Sequence, residues 1–289
     1  MALNLDVLMN LDIEPVEQTL EARDIILYAL GIGLGGDPRD SQQLAFVYEK
    51  DLRMLPTMAI VLGSAGSLGQ YGDTGITRTH VVHGEQGLVI HRTLPVSGKV
   101  IGKTRVSGVI DKGEGRGALV YTETVIHEVA NDAPLVTLTS STFCRADGGF
   151  GGPSGPVPPI HKVPTTPPDR ACELATLPQA ALIYRLSGDY NPLHADPAYA
   201  ERGGYDQPIL HGRCTFGVAG HALLKTYCDY DPTRLIAMQG RFSAPVFPGE
   251  IICTEMWQTG EVISFRTTVP AREAVVINNG RAQIKLSDP

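Results

Sequence analysis

In the stretch RLSGDYNPLHADP, residues 185–197, Asp189 and His194 stand five positions apart with Asn191-Pro192 between them. A carboxylate and an imidazole so placed can hold one water, one group accepting its proton while the other orients it. Proline keeps a helix from running through the segment, so both side chains can turn toward the same point. The same residues also read as a turn, with Asp189 accepting a bond from the backbone and His194 as a satisfied interfacial histidine. Spacing alone leaves both readings open. A second feature adds to the first. His211-Gly212 opens a glycine-rich apolar segment, and the free N–H groups at a helix start suit a carbonyl oxygen that gains charge. Together these groups make a site for adding water to, or removing it from, a carbon conjugated to a carbonyl.

The elements that must position these residues come in two similar sets. DGGFGGPSGPVPPIHKVPTTPPD, residues 147–169, is rich in Gly and Pro, lacks periodicity and reads as a partly extended linker. It divides the chain into an N-terminal unit over 1–146 and a C-terminal unit over 170–289. RDIILYALGIGLGG in the first aligns with ALIYRLSGD in the second, placing Leu27-Tyr28 over Ile183-Tyr184. Thr176, Pro178 and Gln179 form a capping-box start for the second of these helices. Each unit continues with an apolar, small-residue segment after a proline, PTMAIVLGSAGSL from Pro56 and PILHGRCTFGVAGHALL from Pro208. Both predict a helix whose glycines let it lie tightly on a sheet. Runs of period-2 alternation follow in each unit, broken at VSGK, DKGEGRG and VFPGE. Strands in blocks after helices predict an antiparallel α+β fold in two copies, each a long helix packed on a sheet. The alignment sets Gly33 over Asp189 and Pro38 over His194, so the first copy lacks the polar pair.

Several other patterns carry no chemistry. GIGLGG matches a dinucleotide fingerprint by letter, yet follows a helical segment where a strand is required. GKVIGKT is one residue short of a phosphate loop and lies in a β run. His80 and His83 have neither helical context nor a third ligand, so no metal is expected. There is no G-x-S-x-G elbow. The five scattered cysteines, with no C-x-x-C, suggest neither a disulfide framework nor a zinc site and fit a reducing cytoplasm. A net charge of −7 argues against nucleic acid or an anionic membrane as the main partner. No basic N-terminal region or long apolar run suggests a signal peptide or a membrane span, and the KLSDP end is no peroxisomal signal.

YRLSGDYNPLHADPAYA, residues 184–200, resembles the signature of type-2, (R)-specific enoyl-CoA hydratases of the MaoC-like family. That signature is an aromatic, a short spacer, S-G-D-x-N-P-L-H, five residues and a small one, here Ala200, and every position is kept. RDIILYALGIG, VVHGEQ, LHGRCTFG and RFSAPVFPGE extend the likeness to the two-repeat members, which include the hydratase part of the multifunctional β-oxidation enzyme. The resemblance implies a double hotdog fold, two long helices each wrapped by antiparallel sheet, and a homodimer. It implies reversible syn hydration of trans-2-enoyl-CoA to (R)-3-hydroxyacyl-CoA, with coenzyme A entering as part of the substrate and no metal or other cofactor. Catalysis falls on Asp189 and His194, either of which can be the base, with Asn191 supporting the geometry and the Gly212 amide at the thioester oxygen. Substrate contacts fall on His83, Gly84, Lys112 and Phe242, where a hairpin turn (Lys112) and a core packing role (Phe242) are equally good readings. The degenerate first unit is expected to leave room for the acyl chain. Three rivals share the scaffold: a thioesterase, a dehydratase acting on carrier-bound acyl groups, and a non-catalytic acyl-CoA-binding subunit.

Overall fold

The computed structural model describes residues 3–286, so the last three residues of the KLSDP tail lie outside it. The alternating runs form strands β1 (Val16–Leu20), β2 (Val81–Ile90), β3 (Gly98–Asp111), β4 (Ala118–Glu128), β5 (Ala133–Cys144), β6 (Arg170–Ala175), β7 (Leu235–Phe242), β8 (Ile251–Thr259), β9 (Val262–Val269) and β10 (Ala274–Ile284). They pair into one antiparallel sheet in the order β1-β3-β4-β5-β2-β7-β10-β9-β8-β6. Read inward from either edge the two halves have the same order, so the repeat expected from sequence is a repeat of topology. The halves join where β2 meets β7, with Glu85 opposite Arg241 and Leu88 opposite Met238. β9 shows why these segments are strands: Ile263, Phe265, Thr267 and Val269 are buried while the residues between them are not.

The helices are α1 (Leu5–Met9), α2 (Ala22–Gly31), α3 (Ser41–Val47), α4 (Ala180–Tyr184), α5 (Pro197–Arg202) and α6 (Gly212–Tyr227). α6 is the central helix of the second half, and from Cys214 to Leu224 every residue is buried. Apolar side chains of both halves form one continuous core around it, among them Phe46, Met58, Phe216, Leu223 and Phe265. Its glycines serve a close approach, though not to the sheet. A Cβ on Gly217 would lie 2.8 Å from both Ile32 and the Tyr28 hydroxyl, and one on Gly220 would overlap Thr57. The small face of α6 is therefore fitted to the first half's helical segments. At the aligned positions Tyr28 of α2 and Tyr184 of α4 the rings meet, 5.7 Å apart.

Two expectations change. The first half has no long central helix: the segment from Pro56 is a six-residue 3-10 turn, Pro56–Val61. Beyond it Gly63 takes φ +50 and packs on the backbone of Gly102 in β3, so the chain leaves the helical path. The capping box is also absent. α4 begins at Ala180, and the Thr176 hydroxyl instead donates to the Glu250 carbonyl while accepting from the Gly249 N–H. The segment 147–169 has neither helix nor strand, as expected of a linker, yet it is fastened down. The Asp111 carboxylate accepts from the N–H groups of Gly149, Gly151 and Gly152, and the Trp257 indole donates to the Thr166 and Pro167 carbonyls.

Candidate active site

α4 runs into a 3-10 turn, Arg185–Ser187, that ends at Gly188 with φ +115, a conformation glycine adopts without strain. Asp189 follows. Its Oδ1 accepts from the Asn191 N–H at 3.3 Å, and the Asn191 Oδ1 accepts from the Leu193 N–H at 3.0 Å, capping the turn Pro192–His194. The turn reading holds, and it does not exclude a site: the Asx bonds shape the loop that carries the pair. Asp196 then caps α5 and anchors the far side of the loop.

His194 is buried, 8 % exposed. Its Nδ1 lies 2.8 Å from the Ile209 carbonyl, which can only accept, so Nδ1 carries the proton and Nε2 is left with a lone pair. Burial lowers its pKa below the usual histidine value, opposed by that hydrogen bond and by the charge of Asp189. The ring lies on that of His211, 3.7 Å between centroids and 27° from parallel. His211, 1 % exposed, donates from Nε2 to the Asp189 backbone carbonyl at 3.1 Å, and its Nδ1 has no partner among the described residues. Burial, then the neighbouring His194, pushes its pKa down to about 4. Asp189, His194 and His211 offer one ligand atom each, all within 4.8 Å of one another. A single water fits between groups this close, with the carboxylate and the free imidazole nitrogen both able to accept from it.

Gly212 follows as the first residue of α6, whose N-cap, His211, makes no side-chain cap bond. A Cβ there would sit 3.4 Å from the Phe242 ring, so the Phe242 face closes over this helix start. The His83 ring also packs against Phe242, 4.8 Å between centroids, and its Nε2 donates to the Glu85 carbonyl. A bulge in β2 between His83 and Glu85 shifts its register against β5, while on its other side Glu85 pairs with Arg241 of β7, the neighbour of Phe242. Gly84 fits at that bulge because a Cβ would meet the Ser141 hydroxyl at 2.7 Å. His83, Gly84, Phe242 and Gly212 are thus linked by packing, with the charge of Asp189 felt at His83. Lys112 stands apart: its N–H donates to the Gly117 carbonyl in the β3–β4 turn, and its ammonium lies 4.8 Å over Phe143.

Sequence reasoning used His211 only as the start of a helix and passed over its ring. It also missed Arg213, a cation in the first turn of α6 that forms no ion pair among the described residues and helps burial hold the His83 pKa down. The position of His211 next to the glycine already singled out was the available signal. For Arg213 it was a positive charge at the end of a helix that disfavours one.

Two like halves sharing one antiparallel sheet around a buried helix, with an acid–imidazole pair at that helix's start in one half alone, define a two-repeat hotdog protein. The model of the MFE-2 hydratase 2 N-terminal domain matches residues 19–146, and that of the MaoC like domain matches residues 159–279. Enoyl-CoA hydratase 2, peroxisomal, of Arabidopsis thaliana is 38% identical over 95% of this chain and 93% of its own. The 3-hydroxyacyl-thioester dehydratase Y of Mycobacterium tuberculosis is 36% identical over 93% of this chain and 94% of its own. The crystal structure of a MaoC-like dehydratase from Phytophthora capsici superposes with a TM-score of 0.87 at 35% identity, covering 99% of this chain and 100% of that one. The chain belongs to the MaoC-like enoyl-CoA hydratase 2 family.

Proposed function

We propose that this protein catalyses the reversible syn hydration of trans-2-enoyl-CoA thioesters to (R)-3-hydroxyacyl-CoA. The observation that carries the reading is the convergence of the Asp189 carboxylate and the His194 imidazole, its Nε2 lone pair free, beside the start of α6. A water between the two gives one hydrogen to each. As the water oxygen bonds to C3, its proton leaves to one of the pair and the C2=C3 electrons move toward the thioester oxygen. The Gly212 N–H receives that developing charge; losing one such donor costs about 3 kcal/mol of transition-state stabilisation. The proton then returns to C2 from the same side, which makes the addition syn without a second acid–base pair. Run backward, the same steps dehydrate a 3-hydroxyacyl thioester, so the names of the plant and mycobacterial relatives describe two directions of one reaction. No metal or cofactor takes part in this scheme.

Asn191 holds the loop, while His83, Gly84 and Phe242 border the thioester end. Lys112 lies in the turn beyond β3, where it suits a more distant, anionic part of coenzyme A. In the first half, residues 1–146, the short 3-10 turn replaces a helix, and this half accommodates the acyl chain. The homodimer implied by the family resemblance belongs to the proposal and is measured by light scattering. So does a cytoplasmic location; the free cysteines support a reducing compartment, although the plant relative is named peroxisomal. Among the described residues no helix is long and apolar enough to cross a membrane, and coenzyme A thioesters, not lipid or nucleic acid, are the partners proposed.

The test is the ultraviolet absorbance of the conjugated enoyl thioester. The protein is expected to remove it without releasing free thiol, and Asp189→Asn and His194→Gln to lower kcat by about 100-fold or more while remaining folded. Near-normal turnover in either variant contradicts the assignment, and release of thiol indicates a thioesterase.

A further inference from the structure

His211 is too well built into the site to be only the residue before the helix. It touches both members of the pair in different ways. Its Nε2–H bonds the backbone carbonyl of Asp189, 22 residues earlier in the chain, and its ring face supports the His194 ring at 3.7 Å. On its other side the Tyr184 ring lies 5.0 Å away, and Tyr184 is itself held against Tyr28 of the first half. The imidazole is thus clamped between a rigid aromatic pair and the catalytic loop.

We infer that His211 is a positioning residue for the hydration, fixing the Asp189 backbone with its N–H and the His194 ring plane with its face. The inference rests on the hydratase reading. Without the stack, His194 keeps one anchor, the Ile209 carbonyl, and can rotate about it; without the N–H, the carbonyl of Asp189 loses its tie to α6. Each loss moves a reacting group by a fraction of an ångström to an ångström, a scale at which rate falls by up to about 100-fold while ground-state binding is kept. Neutrality matters as well. A proton on His211 would stand directly under the imidazole that must accept one, and burial keeps it off at neutral pH.

The test compares two variants in the full-length chain. His211→Ala removes both contacts; His211→Phe keeps a flat ring against His194 and loses the N–H. Thermal melting identifies folded material. The expected result is a fall in kcat of about 100-fold for His211→Ala and about tenfold for His211→Phe, with KM changed by no more than about twofold. The His194 ring N–H, followed by NMR, is expected to exchange slowly in the wild type and in His211→Phe and to broaden in His211→Ala. Unchanged kcat in both variants, a loss expressed in KM alone, or an unaltered His194 resonance in His211→Ala overturns the role. The resonance is independent of turnover. A wild-type chain that hydrates no enoyl-CoA sinks the hydratase reading, and the ring N–H still decides the positioning role.

Discussion

Asp189 performs two tasks at once, and the division lies between its oxygens and its carbonyl. The carboxylate shapes the loop through the Asn191 N–H and also faces the site, while the backbone oxygen receives the His211 N–H. Such double use is why spacing alone left Asp189, Asn191 and His194 readable both as a turn and as a site: the same local bonds that make the turn hold these side chains. His211 was not, because its contacts come from a segment about twenty residues later and depend on how α6 docks. Gly212 offers a clean test at this scale, because the proposed role belongs to its amide. The residue before it has ψ 134, which a following proline accepts, and proline is tolerated at the first helical position. Gly212→Pro is expected to fold and to lose about 100-fold or more in kcat, whereas Gly212→Ala, which keeps the N–H and whose Cβ meets Phe242 at 3.4 Å, retains most activity. Equal kinetics for the two variants would remove the amide from the mechanism.

Among the elements, the strands were the most legible and the central helix of the first half the least. Alternation such as that of β9 records burial on one face directly. The segment after Pro56 is as apolar as α6, so hydrophobicity gave no warning that it would stop after two turns of 3-10 helix. What ends it is close backbone packing, Gly63 on Gly102, which has no periodic signature. The same short turn in place of a helix bears on the proposed function. With only one half carrying the Asp–His pair, the proposal gives the acyl chain to the other. A series of trans-2-enoyl-CoAs of increasing chain length is therefore expected to show kcat/KM sustained or rising from short to long substrates. A strict short-chain preference contradicts that use of the first half.

At the scale of the whole molecule, the two-copy architecture was readable because a similar helical segment and a similar block of alternating runs recur on each side of the one linker, whereas the fastening of that linker by Asp111 and Trp257 was not. One core spans both halves, and several histidines are buried within or beside it. His211 and His221 are each 1 % exposed, with pKa values pushed down to about 4 by burial, and burial lowers His194 too. In the unfolded chain these groups titrate near 6.5. As pH falls below that value the unfolded state takes up protons the folded state refuses, so stability declines, by up to about 1.4 kcal/mol per pH unit for each such group. Between about pH 6.5 and 5 most carboxylates stay ionised, and the slope belongs to the histidines. Urea midpoints are expected to fall steadily across that interval, and a flat midpoint contradicts neutral burial of these rings.

The central claim is that one Asp–His pair delivers water to a single face of a bound enoyl thioester, the face that gives the (R) alcohol. The hand of the product tests it most directly. Purified protein is incubated with a trans-2-enoyl-CoA and the 3-hydroxyacyl-CoA formed is offered to dehydrogenases specific for each enantiomer. Oxidation by the (R)-specific enzyme alone is the predicted result. An (S) product, or a mixture of both, would contradict it.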